Sequence, residues 1–388
     1  MQIDDLLRET VQAKASDLHL TVGIPPTIRV WGKLVPLSHP ALTPEDTFQL
    51  AYGMINTFQK QRFEKSWELD LSYAVVGLGR FRVNLYRQRG SVGVAARVIS
   101  ESIPTIEDLN IPMVLKDLAR LPRGLILVTG PTGHGKSTTL ASLIDFINVE
   151  RAGHIVTIED PIEYVHPHKK SMVNQRELGF DTQTFPNALR AVLREDPNVI
   201  MVGEMRDLET ISAALTIAET GHLVLATLHT ADASQSVDRI IDVFPPYQQQ
   251  QIRVQLGSVL EAVVSQQLLP NLRFSDRRPE RRLVGAVASA SGAAVSGNGP
   301  GESWPSIEQI GRVPAVEILI ATPGIRNLIR EGKSHQIHTA IQTGAQYGMQ
   351  TMDQSLFSLF TRRLISLEDA LARAIHPEEL RKMIERGA

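Results

Sequence analysis

The segment Gly130-Pro131-Thr132-Gly133-His134-Gly135-Lys136-Ser137 constrains this chain more than any other. It matches G-x-x-x-x-G-K-[ST] and lies between an apolar run, Leu125 to Thr129, and a stretch in which Leu140, Leu143, Ile144 and Ile147 recur at helical spacing. A strand feeding a glycine-rich turn and then a helix aims successive backbone N–H groups at an anion, and the helix dipole adds positive potential. The motif therefore predicts a nucleotide-phosphate cradle running from Gly130 to Thr138, with Lys136 meeting the β- and γ-phosphates of ATP and the Ser137 hydroxyl serving Mg2+. His134 occupies an unconstrained position, as a filler or as a group facing the nucleotide.

Around this motif the pattern is α/β. The runs Leu125 to Thr129, His154 to Ile158, Val199 to Val202 and Leu223 to Leu228 are nearly continuously apolar, as strands buried on both faces are, and helical segments separate them. Ligands of open parallel sheets bind beyond the carboxyl ends of the strands, so the polar residues there are the candidates for chemistry. Val199 to Gly203 ends in Glu204, a Walker B arrangement in which the acid holds the magnesium shell. Glu159, Asp160 and Glu163 follow another strand; for Asp160, helix capping competes with a role in the site. The fourth strand leads to His229, placed to sense the γ-phosphate, whereas His222 at its start reads as structural.

The chain has 388 residues, more than one core usually serves, and two domains are expected. Residues 1–100 read as a small α+β domain. Ile3, Leu6, Leu7 and Val11 share a helical face, strands are expected over Asp17 to Val22 and Thr27 to Leu37, one helix capped near Thr43 or Asp46 and continuing towards Glu64, and strands over Glu68 to Val76, Arg80 to Tyr86 and Ser91 to Ile99. Arg80 and Arg82, at alternate positions, share a sheet face, with Arg97 on a neighbouring strand; such arginines either meet solvent or reach a phosphate from another domain or subunit. Residues 101–112, bracketed by Pro104 and Pro112, read as a linker, and 113–388 as the ATPase domain. Within it, residues 271–312 are rich in Ala, Ser, Gly and Pro and read as a flexible insertion.

Composition excludes several alternatives. No cysteine is present, so there is no disulfide, thiol nucleophile or Cys-ligated zinc. Charged side chains nearly balance, giving a formal charge of -2, which argues against a nucleic-acid translocase. The longest apolar stretch, Ile211 to Leu228, is interrupted by Glu219, Thr220 and His222, too soon for a membrane span of about 20 residues, and Asp4, Asp5 and Arg8 break any signal-peptide core. A cytoplasmic location is expected.

Taken together, the motifs resemble the secretion and pilus motor ATPases, and most closely the retraction ATPases of bacterial type IV pili. The resemblance spans nearly the whole chain: Ala15 to Leu20, Gly79 to Asn84, Thr157 to Glu163 as an Asp box, Leu193 to Pro197 leading into Gly203 to Asp207, Gly221-His222 through His229-Thr230 as a His box, and Gly324 to Glu331 as the segment needed for retraction rather than hydrolysis alone. It implies a homohexamer of two-domain subunits, a PAS-like N-terminal domain on a RecA-like ATPase domain, with nucleotide between them. It also implies that Glu163 is the catalytic glutamate, that Glu204 is the Walker B acid, and that Arg80, Arg82 and Arg97 reach nucleotide. The implied partners are the inner-membrane platform protein of the pilus and a paralogous ATPase, with the ring peripheral to the membrane rather than inserted. An accessory retraction ATPase shares nearly every motif, and extension or secretion ATPases are the next alternative, many of them carrying a tetracysteine zinc motif absent here. The 271–312 insertion and His134, in place of the usual small residue, depart from the family pattern.

Overall fold

The structure, a computed structural model, describes residues 1–30, 33–99, 102–275 and 311–387. These divide into two compact units, the first within Met1–Glu101 and the second from Ser102 onward.

The first unit is an antiparallel sheet with helices. Its strands are β1 Asp17–Leu20, β2 Thr27–Val30, β3 Lys33–Pro36, β4 Glu68–Val75, β5 Gly79–Gln88 and β6 Ser91–Ile99, in the spatial order β3-β2-β1-β6-β5-β4. Phe81, Val83 and Leu85 alternate inward along β5 and join Leu6, Leu7, Leu50, Ala51 and Phe63 from the helices in one core. That alternation puts Arg80 and Arg82 on the opposite face. The single helix expected from Thr43 to Glu64 is two, Pro44–Gly53 and Thr57–Ser66. Asn56 explains the break, because its side chain accepts the Gln59 N–H and starts a new helix with a full capping box.

In the second unit a seven-stranded sheet runs β13-β12-β7-β11-β10-β8-β9, where β7 is Gly124–Thr129, β8 His154–Glu159, β9 Met172–Glu177, β10 Val199–Val202, β11 Leu223–Leu228, β12 Leu260–Pro270 and β13 Arg312–Ile320. All neighbours are parallel except β12 and β13. The helix Lys136–Glu150 packs on one face through Leu140, Leu143, Ile144 and Ile147, while helices Leu208–Glu219, Ala233–Asp242 and Pro246–Val259 cover the other. A third cluster joins Leu269, Val313 and Ala315 to the C-terminal helices. Residues 102–112 do not behave as a free linker: Ile106 and Ile111 are buried in the same core as Leu115 and Leu143, which offsets the cost of ordering them. Most of the expected 271–312 insertion lies outside the described residues; at its borders Leu272–Ser275 is helical and β13 begins at Arg312.

Candidate functional site

The cradle forms where β7 ends. Gly130 adopts a φ of +137°, and a Cβ there would sit 2.2 Å from the Gln266 carbonyl oxygen of β12, so only glycine fits. The chain turns through Gly133 and Gly135, both at positive φ, into the helix Lys136–Glu150. Its N-cap, Gly135, has no side chain to offer the first turn. Uncapped N–H groups of a 15-residue helix, opening at Lys136, Ser137 and Thr138, suit a phosphate as acceptor.

Lys136 is 8% exposed, and its Nζ donates to the carbonyls of Gly130 at 2.8 Å and Pro131 at 3.0 Å. Burial lowers its pKa, against the opposite pull of the Glu204 and Glu163 carboxylates. An amine so held has strong reason to meet a polyanion.

Two neighbouring strand ends meet this lysine. Beyond β10, Gly203 donates to the Ile158 carbonyl at 2.8 Å and accepts the Thr227 hydroxyl at 2.6 Å, which fixes the loop carrying Glu204 between β8 and β11. Beyond β11, His229 Nε2 lies 2.9 Å from Glu204 Oε1, and Nδ1 is 3.4 Å from both Lys136 Nζ and Thr132 Oγ1. With Nε2 donating to the carboxylate, Nδ1 is left to accept. Glu204 also pairs with the exposed Arg206. Lys136, Glu204, His229 and Thr132 thus converge, as the strand-end reading requires.

Glu163 is exposed, and its charge acts on Lys136. The residue organising its loop is Glu159, a member of the same acidic cluster. Glu159 is 7% exposed and accepts the Thr157 hydroxyl at 2.6 Å, the Gln175 amide at 3.1 Å and the backbone N–H of Glu163. Burial pushes its pKa up to about 7 despite those bonds. Sequence reasoning also missed Tyr164, whose hydroxyl is 3.0 Å from that of Thr138, and Gln266, a polar residue inside a strand whose partners become visible only in three dimensions.

Arg80, Arg82 and Arg97 belong to the first unit. Arg82 and Arg97 are direct cross-strand neighbours of β5 and β6, and Arg97 Nε donates to Asp17 Oδ1 at 2.8 Å. Burial of Asp17 would raise its pKa, but hydrogen bonds from Ser16 and Arg97 prevail and hold it below the usual carboxylate value. The Gly324 to Glu331 segment forms most of the helix Pro323–Arg330. In it Arg326 donates to the carbonyls of Gly257 at 3.2 Å and Ser258 at 2.9 Å and pairs with Glu261 at 2.9 Å, closing the C-terminal end of helix Pro246–Val259.

A parallel sheet with a phosphate cradle after one strand, and an acid and a histidine after two others, defines the P-loop ATPase class. The model of the type II/IV secretion system protein family matches residues 105–371. The chain is 45% identical to the type IV pilus retraction ATPase PilT of Pseudomonas aeruginosa over 97% of its own length and 99% of that protein's, and 40% identical to the type IV pilus ATPase PilU of the same organism over 100% and 92%. It superimposes on a crystal structure of the pilus retraction motor PilT with bound ADP with a TM-score of 0.85, at 46% identity, covering 99% of this chain and 100% of that one. The chain belongs to the type II/IV secretion system protein family.

Proposed function

We propose that the chain hydrolyses ATP at this cradle, with Mg2+, and uses the cycle to drive type IV pilus retraction. The observation that carries the reading is the meeting of three strand ends, with Lys136 and Glu204 joined through the two nitrogens of one imidazole, at 3.4 and 2.9 Å. Full-length identity with a retraction ATPase gives the site its task.

The backbone from Gly130 to Thr138, including Pro131, Thr132, Gly133, His134 and Gly135, surrounds the phosphates. Lys136 exchanges its carbonyl partners for phosphate oxygens, relieving a buried charge. Ser137 and Glu204 offer hard oxygen ligands that fit a magnesium ion, which when bound neutralises charge on the β- and γ-phosphates. Glu163, held by its backbone to Glu159, orients and deprotonates the attacking water. His229, bonded to Glu204, reports the γ-phosphate to the next helix.

Arg80 and Arg82, with Arg97 across from Arg82, are the first unit's candidates for nucleotide contacts in a homohexameric ring. Among the described residues no helix is long and apolar enough to cross a membrane. A ring docked on the inner-membrane platform protein from the cytoplasmic side accommodates that. A second reading, an accessory retraction ATPase working beside a paralogue, draws support from the 40% identity with PilU over the full chain. Phosphate release by the purified full chain tests the hydrolysis step. Wild type should turn over ATP only with Mg2+ and Lys136→Ala should not; equal rates in the two would end the assignment of the site.

A further inference from the structure

The outer side of the cradle is not held by the loop itself. The pairing of β12 with β7 ends at Ser265 opposite Thr129, yet β12 continues to Pro270 alongside the cradle. On this extension Gln266 and Leu268, two positions apart, serve the same side. Gln266 is 3% exposed; its Nε2 donates to the His134 carbonyl at 2.8 Å, and its Oε1 accepts the Thr139 hydroxyl at 2.7 Å. One amide therefore spans from the loop to the first turn of the following helix. The Leu268 N–H, beyond the reach of β7, donates to Nδ1 of the His134 ring at 3.2 Å, which satisfies a strand-edge donor. Gly135 makes room for this arrangement, because a Cβ there would sit 2.8 Å from Gln266 Nε2 and 3.3 Å from a Leu268 methyl. Arg312, at the start of β13, adds a bond to the Gly133 carbonyl at 3.2 Å.

We propose that His134 and Gln266 are positioning residues that latch the outer limb of the phosphate cradle to the extended end of β12, so that this strand helps set nucleotide affinity. The ring of His134 is committed to the Leu268 N–H and acts on the nucleotide through the loop. Gln266 braces the same loop from a buried position, and its partner Thr139 couples the brace to the helix that carries Lys136 and Ser137.

This inference rests on the nucleotide-binding reading, and the test separates the two. The probe is fluorescently labelled ADP, titrated with Mg2+ into the full-length wild type, His134→Phe, His134→Asn and Gln266→Met, with thermal unfolding and steady-state ATPase on the same samples. Phe keeps the bulk of the ring but accepts nothing, whereas the Asn carbonyl replaces the acceptor. Loss of one such bond should weaken ADP binding about five-fold in His134→Phe. Gln266→Met, which loses two, should weaken it further, and His134→Asn should recover most of the affinity. KM for ATP should rise more than kcat falls. Wild type that fails to bind ADP would refute the nucleotide site itself. Wild type that binds, with His134→Phe binding equally tightly, would overturn the latch alone. So would a lowered melting temperature with KM unmoved, or His134→Asn as weak as His134→Phe.

Discussion

Glu317, on β13, is the buried group whose replacement has the most quantifiable consequence. It is 1% exposed, and its two oxygens accept the N–H groups of Ala233 at 2.8 Å and Met352 at 3.3 Å. One carboxylate thus takes the first N–H of both helix Ala233–Asp242, capped by Asp232, and helix Met352–Thr361, capped by Thr351. Burial, reinforced by the charges of Asp232 and Asp353, pushes its pKa up to about 7 against those two bonds. The folded state therefore keeps a proton that the unfolded chain, at the ordinary value of 4.5, releases. Stability from this group is fully present below the unfolded value and is lost as pH rises through the folded one, up to about 3 kcal/mol in all. Glu317→Gln is neutral throughout and keeps one acceptor, leaving one buried N–H unpaired at a cost of about 1–2 kcal/mol. At about pH 5 the variant should be the less stable protein, and by about pH 8 the more stable one, with the curves crossing between about pH 5 and 6. Urea midpoints of both proteins across this range measure the gap, and Glu159, present in both, cancels. A gap independent of pH would refute a carboxyl titrating inside the fold.

Three further outcomes follow from named contacts. Glu204→Gln should retain nucleotide but hydrolyse it slowly, because the amide keeps a partner for His229 while losing the charge that serves the metal; bound nucleotide and single-turnover rate read the two separately. Arg326→Ala should spare hydrolysis and impair retraction and, because the side chain closes helix Pro246–Val259, should also lose roughly 1–3 kcal/mol of stability. An unchanged melting temperature with lost retraction would return Arg326 to a purely motor role. Asp17→Asn should weaken the first unit at neutral pH, while the wild-type contribution fades as pH falls through the depressed folded pKa; identical acid-unfolding curves for both proteins would contradict the Arg97 pairing.

Much of the site was legible because it is local. The cradle, Lys136, Glu204 and His229 each follow an apolar run buried on both faces, and strand ends of one parallel sheet must converge. What stayed hidden depends on partners distant in sequence. β12 carries buried Ser265, Gln266 and Gln267, which blur its apolar signal, and the value of Gln266 lies in Thr139 and His134, more than 120 residues away. Asp17 and Arg97 meet across 80 residues of chain, and a strand arginine looks the same with or without such a partner. The proline-flanked segment at 101–112 read as a linker because it is acidic and poorly periodic, yet within it Ile106 and Ile111 are buried in the second unit's core. The break at Asn56 depends on one capping side chain, which the reading of a single helix towards Glu64 passed over.

The most direct measurement of the central claim is pilus retraction in living cells lacking this chain, complemented with wild type or with Glu204→Gln and followed by imaging labelled pili. Deletion should leave long pili that do not retract, wild type should restore retraction, and Glu204→Gln should not. Absent pili after deletion would instead point to an assembly motor, and retraction restored equally by Glu204→Gln would contradict an ATP-driven role for this site.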